Sequence, residues 1–315
     1  MHPLRSLLKR LDGLHYPQDY LCLSREQFPH TLQVYATGGG RVLADVTRSH
    51  LFVGYSPLII ALQPMTTVSE LIFTRHALQP NEYFNEKDAL ARLSLSPLRD
   101  YEGLMGFYVV GRGTHRFQSG WQQLLQDLYN RRYNRKPGNV FLPGNLFRQV
   151  QIAYAVPRKI SLITVGGGGL YNLFPTDLHG DAGNGRYVVS LREGGKACAQ
   201  ATTCERILLS AVNPDCYRDV YALGKNHMQE LRPARELPFG DVHSTSFRFP
   251  VPRFATGWRE LELESSFLHG IHRLLFFRIT HQERITSSDS NLYHLHNAYA
   301  SWLHNKGLSG NYLLR

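Results

Sequence analysis

The sequence predicts a mainly β, α+β protein in which a small N-terminal α+β domain (residues 1–144) precedes an antiparallel barrel domain (residues 145–315). Three observations support this fold class. The 315 residues are more than one small module needs. From about residue 145 onward, short runs of β-branched and aromatic residues dominate. Few helical patterns lie between these runs, which favours a closed antiparallel barrel over a doubly wound parallel sheet.

Composition narrows the class of protein. A hydrophobic fraction of 43% and a charged fraction of 19% exclude a mostly disordered chain. No apolar run approaches the ~20 residues of a membrane-spanning helix, and the N-terminus lacks the apolar stretch of a signal peptide. We therefore expect a soluble, cytoplasmic protein. The net charge of +10 is spread over both halves, which favours anionic small molecules over nucleic acid as partners.

The first half of the chain predicts mixed elements. Residues 1–30 begin with an amphipathic helical pattern, and residues 31–62 contain short strands of a small antiparallel sheet. Residues 86–95 predict a helix, residues 103–113 a strand and residues 120–135 a second helix. No fixed-period repeat is visible. The role of residues 1–144 stays open, since nothing in them indicates independent catalysis.

The densest basic patch follows the helix at 120–135. It contains Arg131, Arg132, Arg135 and Lys136. Cations at a helix C-terminus complement the helix dipole, and no group of aromatic residues accompanies them as a stacking platform for bases. Nucleic acid is therefore an unlikely partner on this pattern.

The second half predicts strands separated by few helices. The predicted strands are 159–166, 185–192, 205–212 and 272–284, and the predicted helices are 195–204 and 290–305. The glycine run at 165–169 follows a strand, but Pro175 interrupts any helix after it. A dinucleotide-binding loop needs that helix, so a hairpin or loop is predicted instead.

Neither cysteines nor histidines predict a metal site. The four cysteines, at 22, 198, 204 and 216, form no C-x-x-C pair, and we expect them to be reduced. His294 and His296 are two positions apart in a predicted helix, where their side chains point in different directions. We expect no bound metal.

Residues 185–204 predict a phosphate site. Ser190 and Arg192 lie at the end of a predicted strand, and a glycine turn leads to Lys196 at the start of a helix. A helix N-terminus offers free N–H groups to an anion, and the two cations add formal charge. Asn172, in the preceding loop, offers an amide to the edge of a heterocycle.

Residues 145–305 resemble the flavin reductase-like, FMN-binding split β-barrel family. The segment "LPGNLFRQVQIAYAVPRKISLITVG" is similar to the opening helix and first barrel strand of that family. "YNLFPTDLHG" resembles its flavin loop, "YVVSLR" its second flavin strand, and "GGKACAQATTCERILLSAV" the following helix and strand. "LHGIHRLLFFRI" resembles its late Gly-Asp-His segment, with Ile271 in place of the aspartate.

The resemblance implies a split β-barrel that binds FMN non-covalently at the interface of a homodimer, with NAD(P)H as co-substrate. It implies His272 as the catalytic residue on the flavin or nicotinamide side. The implied flavin contacts are two short runs and a lysine: Asn172, Leu173, Phe174, Pro175 and Thr176; Ser190, Leu191 and Arg192; and Lys196. The isoalloxazine would lie against the first run and the phosphate near Arg192 and Lys196.

Three functions follow from the sequence, in order of preference. The first is an FMN-binding oxidoreductase, a flavin reductase or flavin-dependent reductase that uses NAD(P)H. The second is a non-catalytic flavin- or anion-binding protein whose N-terminal half is an interaction module. The third is a nucleic-acid-binding protein that uses the basic patch at 131–136.

Overall fold

The structure, a computed structural model, describes residues 19–24, 32–65, 67–133, 141–286, 291–296, 299–300, 302–303, 306–307 and 311–314. Most of the described chain is antiparallel β-structure, as the sequence predicts. Four α-helices have both ends within this part of the chain: α1 (Gly120–Tyr133), α2 (Asn145–Ala153), α3 (Lys196–Cys204) and α4 (Tyr217–Ala222). None of the described helices is long and apolar enough to cross a membrane.

The first sheet has seven strands, all antiparallel. They are β2 (Gln33–Gly38), β3 (Arg41–Asp45), β4 (Leu51–Gly54), β5 (Ile59–Leu62), β6 (Glu70–Thr74), β7 (Ala91–Tyr101) and β8 (Met105–His115). Their order across the sheet is β3-β2-β6-β7-β8-β5-β4. This sheet confirms the predicted strands within 31–62 and 103–113.

The predicted helix at 86–95 is wrong. Residues from Ala91 onward belong to β7, which pairs with β6 and β8. Ala91, Leu93 and Leu95 are buried and the residues between them are less so, which is the period of two that a strand requires. The helix-forming composition of this segment is overridden by pairing on both sides.

The second sheet has eight strands. They are β10 (Ser161–Gly167), β11 (Leu170–Thr176), β12 (His179–Gly183), β13 (Arg186–Arg192), β14 (Arg206–Val212), β15 (Arg232–Pro233), β18 (Ala255–His269) and β19 (His272–Arg284). Their order is β12-β13-β19-β18-β14-β10-β11-β15. Helix α3 lies between β13 and β14 in the chain, and it packs against a core that includes Phe174 and Phe277. A small ribbon of β16 (Phe239–His243) and β17 (Pro250–Pro252) lies beside it.

The two sheets have the same topology. If the seven strands of each are numbered in chain order, with β15 left out, both read 2-1-5-6-7-4-3 across the sheet. The registers agree as well: Ala61 pairs with Phe107 in the first sheet, as Val188 pairs with Phe276 in the second. The chain therefore contains two structural repeats, within residues 33–115 and 161–284, that no sequence repeat indicates.

The two repeats pack through equivalent strands. A buried cluster joins β4, β5 and β8 of the first repeat to β12, β13 and β19 of the second. The rings of the equivalent residues Phe107 and Phe276 meet edge to face, with centroids 5.8 Å apart. Tyr101 stacks on Phe276 at 4.0 Å, and Phe267 meets Phe107 at 5.7 Å.

These contacts are reciprocal. Tyr101 and Phe267 hold equivalent positions, because they pair with the equivalent residues Met105 and Leu274. Each of the two contacts the equivalent phenylalanine of the other repeat. That pattern is the signature of an interface with two-fold symmetry, here within one chain.

A third sheet joins the two ends of the chain. It orders β21 (Asn311–Leu314), β1 (Asp19–Leu23), β20 (Tyr293–His296) and β9 (Arg158–Lys159). The predicted helix at 290–305 is therefore wrong at β20; residues 299–300 and 302–303 are helical. Within the predicted helical start at 1–30, the described part forms β1, and the remainder lies outside the described residues. The domain boundary at 144/145 stays a prediction.

Candidate functional site

The predicted flavin loop is a strand. After the hairpin formed by Gly168 and Gly169, which adopt φ of +60° and +85°, residues Leu170–Thr176 form β11 and pair with β10. Asn172 is fully buried. Its Nδ2 donates to Gln200 Oε1 at 2.8 Å and to the carbonyl oxygens of Asn226 and Gln229 at 3.0 and 3.3 Å. The amide is therefore occupied by the chain itself.

The segment at 223–230 covers this strand. It is a 3-10 turn (Leu223–Met228) continued by Gln229 and Glu230. Asn226 Nδ2 donates to the carbonyl oxygen of Leu173 at 2.7 Å, and the His227 ring lies 4.8 Å from that of Phe174. Leu173 and Phe174 are fully buried, Thr176 is buried and Pro175 is half-buried. We call residues 223–230 the cover segment.

One of the two cations of the predicted phosphate site is paired with a carboxylate of the chain itself. Lys196 is the first residue of α3, and its Nζ forms an ion pair with the Glu230 carboxylate of the cover segment. The cover segment also lies close to the glycine turn before α3: a Cβ added at Gly195 would lie 3.9 Å from Met228 Sδ. A carboxylate near a helix N-terminus meets the same positive potential that would attract a phosphate.

Arg192 is exposed at the end of β13. Among the described residues, no hydrogen bond or ion pair holds its guanidinium. The site therefore contains one uncommitted cation and one cation paired to a surface carboxylate. Leu191 is buried beside it and faces the core of the second repeat.

Ser190 and His272 meet in the structure. Arg192 lies opposite His272 in the β13–β19 register, and Ser190 Oγ lies 3.2 Å from His272 Nδ1. Both residues are buried. Burial lowers the pKa of His272 to about 4, the nearby Arg192 lowers it further and Asp177 opposes the shift. The imidazole is therefore neutral at pH 7.

The first repeat contributes a residue to this pair. Tyr55, in the turn between β4 and β5, meets the His272 ring edge to face, with centroids 5.5 Å apart. The Tyr55 hydroxyl accepts a hydrogen bond from Arg158 Nη1 at 2.7 Å. Burial raises the pKa of Tyr55 well above its ordinary value, so the phenol stays protonated. The site thus lies where the two repeats meet.

A buried polar group adjoins Tyr55, and we call it the junction cluster: Arg158, Asp177, His294, His296 and Tyr221. Arg158 Nη2 and His294 Nε2 lie 2.9 and 2.8 Å from the same oxygen, Asp177 Oδ2. His294 Nδ1 lies 3.1 Å from the Tyr221 hydroxyl and 2.8 Å from His296 Nε2. Burial opposes ionisation of Asp177, but Arg158 and the histidines hold its pKa well below the ordinary value.

The junction cluster includes three possible metal ligands. One donor atom from each of Asp177, His294 and His296 lies within 4.8 Å of the others. The two histidines lie together because β20 is a strand, in which residues two apart share a face. The guanidinium of Arg158 already supplies a cation to the carboxylate, and His294 presents its two nitrogens to different partners. This donor set is better suited to an Arg–Asp–His network than to a metal ion.

The structure brings together some of the residues that the sequence predicts. Ser190, Arg192, Lys196 and His272 lie at one end of the second repeat. The Asn172–Thr176 run lies beneath the cover segment instead. Sequence reasoning missed Tyr55, Arg158 and Asp177, and no spacing in the sequence could have linked the first to the other two, about a hundred residues later.

The basic patch is described only in part. Arg131 and Arg132 are exposed in the last turn of α1, as the helix-dipole interpretation expects. Arg135 and Lys136 lie outside the described residues.

Comparisons with known proteins find likeness in solved structures alone. No family model matches the chain, and no curated protein matches it. The Streptomyces globisporus C-1027 NADH:FAD oxidoreductase SgcE6 has a TM-score of 0.42 and 11% identity, covering 52% of this chain and 96% of its own. The flavin reductase PheA2 has a TM-score of 0.39 and 14% identity, and the match covers 53% of this chain and 95% of PheA2. An FMN-binding protein from Thermus thermophilus has a TM-score of 0.37 and 18% identity, and the match covers 45% of this chain and 83% of that protein. At these values the likeness assigns no role to any residue.

Proposed function

We propose that the protein is an FMN-binding oxidoreductase, a flavin reductase or flavin-dependent reductase that oxidises NAD(P)H. The observation that carries the proposal is that Ser190 and His272 meet beside Tyr55 of the other repeat, close in the chain to Arg192 and to the start of α3 at Lys196. The sequence resemblance of residues 145–305 to the FMN-binding split β-barrel family supports it. In this proposal the second sheet is that split barrel.

The phosphate end of the site fits FMN. Arg192 and Lys196 are two cations beside a helix N-terminus, the arrangement that a phosphate monoester requires. Glu230 competes for Lys196, but the two side chains are 74% and 44% exposed, and a pair so exposed contributes little stability. We expect a phosphate dianion, with its higher charge, to displace the carboxylate from this position.

The ring end of the site fits only in part. Asn172 is committed to the cover segment and does not reach a ligand. Its role in the proposal is to hold the cover segment over β11. Neutral His272 and the Tyr55 hydroxyl remain as the polar groups near the ring, and Ser190 fixes the orientation of the imidazole.

Bound FMN would supply hydride transfer between nicotinamide and acceptor. The protein's own residues bind and orient: Arg192 and Lys196 hold the phosphate, and His272 holds one side of the reacting pair in place. A histidine with a pKa of about 4 donates or accepts a hydrogen bond at pH 7 without adding charge.

We also propose that one chain supplies the interface that the resemblance assigns to a homodimer. The serine, the histidine and the two cations of the site all come from the second repeat. By register, the positions in the first repeat that correspond to Ser190 and His272 are Gln63 and Gly103, and no helix follows β5. One FMN per chain is therefore expected.

A non-catalytic flavin-binding protein is the second candidate. Ile271 in place of the aspartate of the resembled family, and Glu230 on Lys196, favour it. Steady oxidation of NADH or NADPH by the FMN-loaded protein, followed at 340 nm with FMN alone as the control, separates the two. Turnover no faster than the control, with FMN bound, would leave the binding function and remove the reductase.

A further inference from the structure

A cleft of about 420 Å³ opens on the second repeat, away from the site described above. The start of β18, the end of β19, the end of β14 and strand β9 form its walls. Successive residues of a strand face opposite sides. Arg158 of β9 accordingly joins the junction cluster, whereas Lys159 lines the cleft. We call this cavity the basic cleft.

Positive charge dominates the lining. Lys159, Arg259 and Arg284 line the basic cleft, and the one acidic side chain among the lining residues is Glu283. Glu283 is 48% exposed and lies 4.0 Å from the His281 imidazole. The cleft therefore carries an excess of two positive charges, counted as three cations and one carboxylate.

Lys159 has no counter-ion in the described part of the chain. Burial lowers its pKa to about 8, with Arg259 and Arg284 contributing. Arg259 contacts the Gln282 amide oxygen at 3.3 Å and lies over the Tyr187 ring at 5.3 Å, and both partners are uncharged. Like charges brought together under partial burial cost stability unless an anion offsets them.

A further unmet donor lies in the same wall. Trp258 lines the basic cleft, is buried, and has no acceptor for its indole N–H among the described residues. Native structures leave few buried donors unpaired, so this indole N–H, in the same wall as Lys159, can donate to an acceptor on a ligand.

We propose that the basic cleft binds a small organic phosphate. Lysine and arginine side chains are the usual phosphate ligands, and the indole N–H offers one more donor. The volume exceeds that of a bare phosphate ion and falls within the ~300–1,000 Å³ range of small-molecule sites. The cleft is distinct from the proposed flavin site, because Arg284 ends β19 and His272 begins it.

The test is isothermal titration calorimetry on the full chain with ribose 5-phosphate, pyrophosphate and citrate as probes. We expect the phosphates to bind and Lys159→Met and Arg259→Gln each to weaken binding at least tenfold. Lys87→Met and Arg112→Gln, exposed positions in the first repeat, are matched controls that leave it unchanged. FMN affinity should be the same in all four variants, so failure here does not affect the flavin proposal.

Proton uptake on binding distinguishes an anion bound at Lys159 from nonspecific charge effects. The groups that face Lys159 are Arg259, Arg284, Glu283 and His179, and His179 is neutral, with a pKa lowered to about 3 mainly by burial. Near pH 8 a bound anion raises the pKa of Lys159, so binding should take up protons in wild type and not in Lys159→Met. Equal affinity and equal proton uptake in the two would overturn the proposal. Binding of citrate as tight as that of the phosphates would overturn the phosphate assignment.

Discussion

His272 gains its chemical character from its surroundings. It is 7% exposed, bonded to Ser190 and capped by Tyr55 of the other repeat. Burial keeps it neutral at any pH above about 4. The sequence resemblance proposed His272 as a site residue, but its contact with Tyr55 depends on the packing of two repeats and could not be predicted from local pattern.

We expect His272→Ala to slow flavin reduction by NAD(P)H at least tenfold while FMN affinity changes little. The reason is that the imidazole orients a reactant, whereas the phosphate contacts hold the cofactor. Stopped-flow reduction and FMN titration measure the two effects. His272→Gln, which keeps a hydrogen-bonding group for Ser190, should recover part of the rate. Wild-type rates in both variants would remove His272 from the site.

Buried neutral histidines also predict how stability depends on pH. The pKa values of His115 and His272 are lowered to about 4 by burial, from 6.5 in the unfolded chain. Between pH 6.5 and 4 the unfolded state binds these protons and the native state does not, so the free energy of unfolding falls as pH falls. Each histidine contributes a slope of about 1.4 kcal/mol per pH unit.

Urea denaturation from pH 7 to pH 4 measures this slope. We expect His272→Gln to lose about one proton's share of the slope. A slope that is the same in His272→Gln and wild type would show that His272 is protonated in the native state.

At the level of elements, α3 and the cover segment form one unit. The glycine turn and helix start at 194–196 were predicted correctly, because Gly-Gly followed by a helical pattern is a local signal. The covering of β11 by residues 223–230 was not predicted, because it depends on contacts between segments about fifty residues apart.

We expect Lys196→Ala to weaken FMN binding by roughly ten- to a hundredfold, since a charge-assisted contact contributes about 1.5–3 kcal/mol. Riboflavin, which lacks the phosphate, should bind the variant as it binds wild type. Glu230→Gln should tighten FMN severalfold, because it removes the competing carboxylate. Fluorescence titration of both flavins measures all three. An unchanged FMN-to-riboflavin preference in Lys196→Ala would contradict the phosphate assignment.

Strand and helix predictions failed where two periodicities compete. In β7 every second side chain, those of Ala91, Leu93 and Leu95, is buried, yet the composition of the segment favours a helix. At β20 the sequence resembled one continuous helix, although His294 and His296 share a strand face. In both places pairing with strands distant in sequence decided the outcome, and local propensity does not contain that information.

At the scale of the molecule, the described residues contain two copies of one sheet topology joined by an isologous contact. Its central pair, Phe107 and Phe276, is 1% exposed on each side. The two copies share strand order and register without a visible sequence repeat, because inward apolar character is enough to specify each strand. The sequence therefore predicted strands in both copies but not the relation between the copies.

We expect Phe107→Ala and Phe276→Ala each to lower the free energy of unfolding by about 3–5 kcal/mol through loss of packing at this contact. Leu128→Ala, at a residue of α1 that is 52% exposed, should change it by less than about 0.5 kcal/mol. The double variant should lose less than the sum of the single losses, because the two rings touch. Additive losses in a urea denaturation cycle would contradict the shared interface.

The same contact leads us to expect a monomer. Light scattering should give the 36.0 kDa of one chain, since the repeats satisfy each other's interface. Twice that mass, with flavin bound, would favour the homodimer that the sequence resemblance implies.

The central claim is tested most directly by titrating FMN into the purified full chain and following the visible absorption of the flavin. We predict saturable binding at micromolar concentration with one FMN per chain, at least tenfold weakened in Arg192→Gln and unchanged in Arg112→Gln, an exposed arginine of the first repeat. No saturable binding by wild type, or equal binding by the two variants, would contradict a flavin site at the junction of the two repeats.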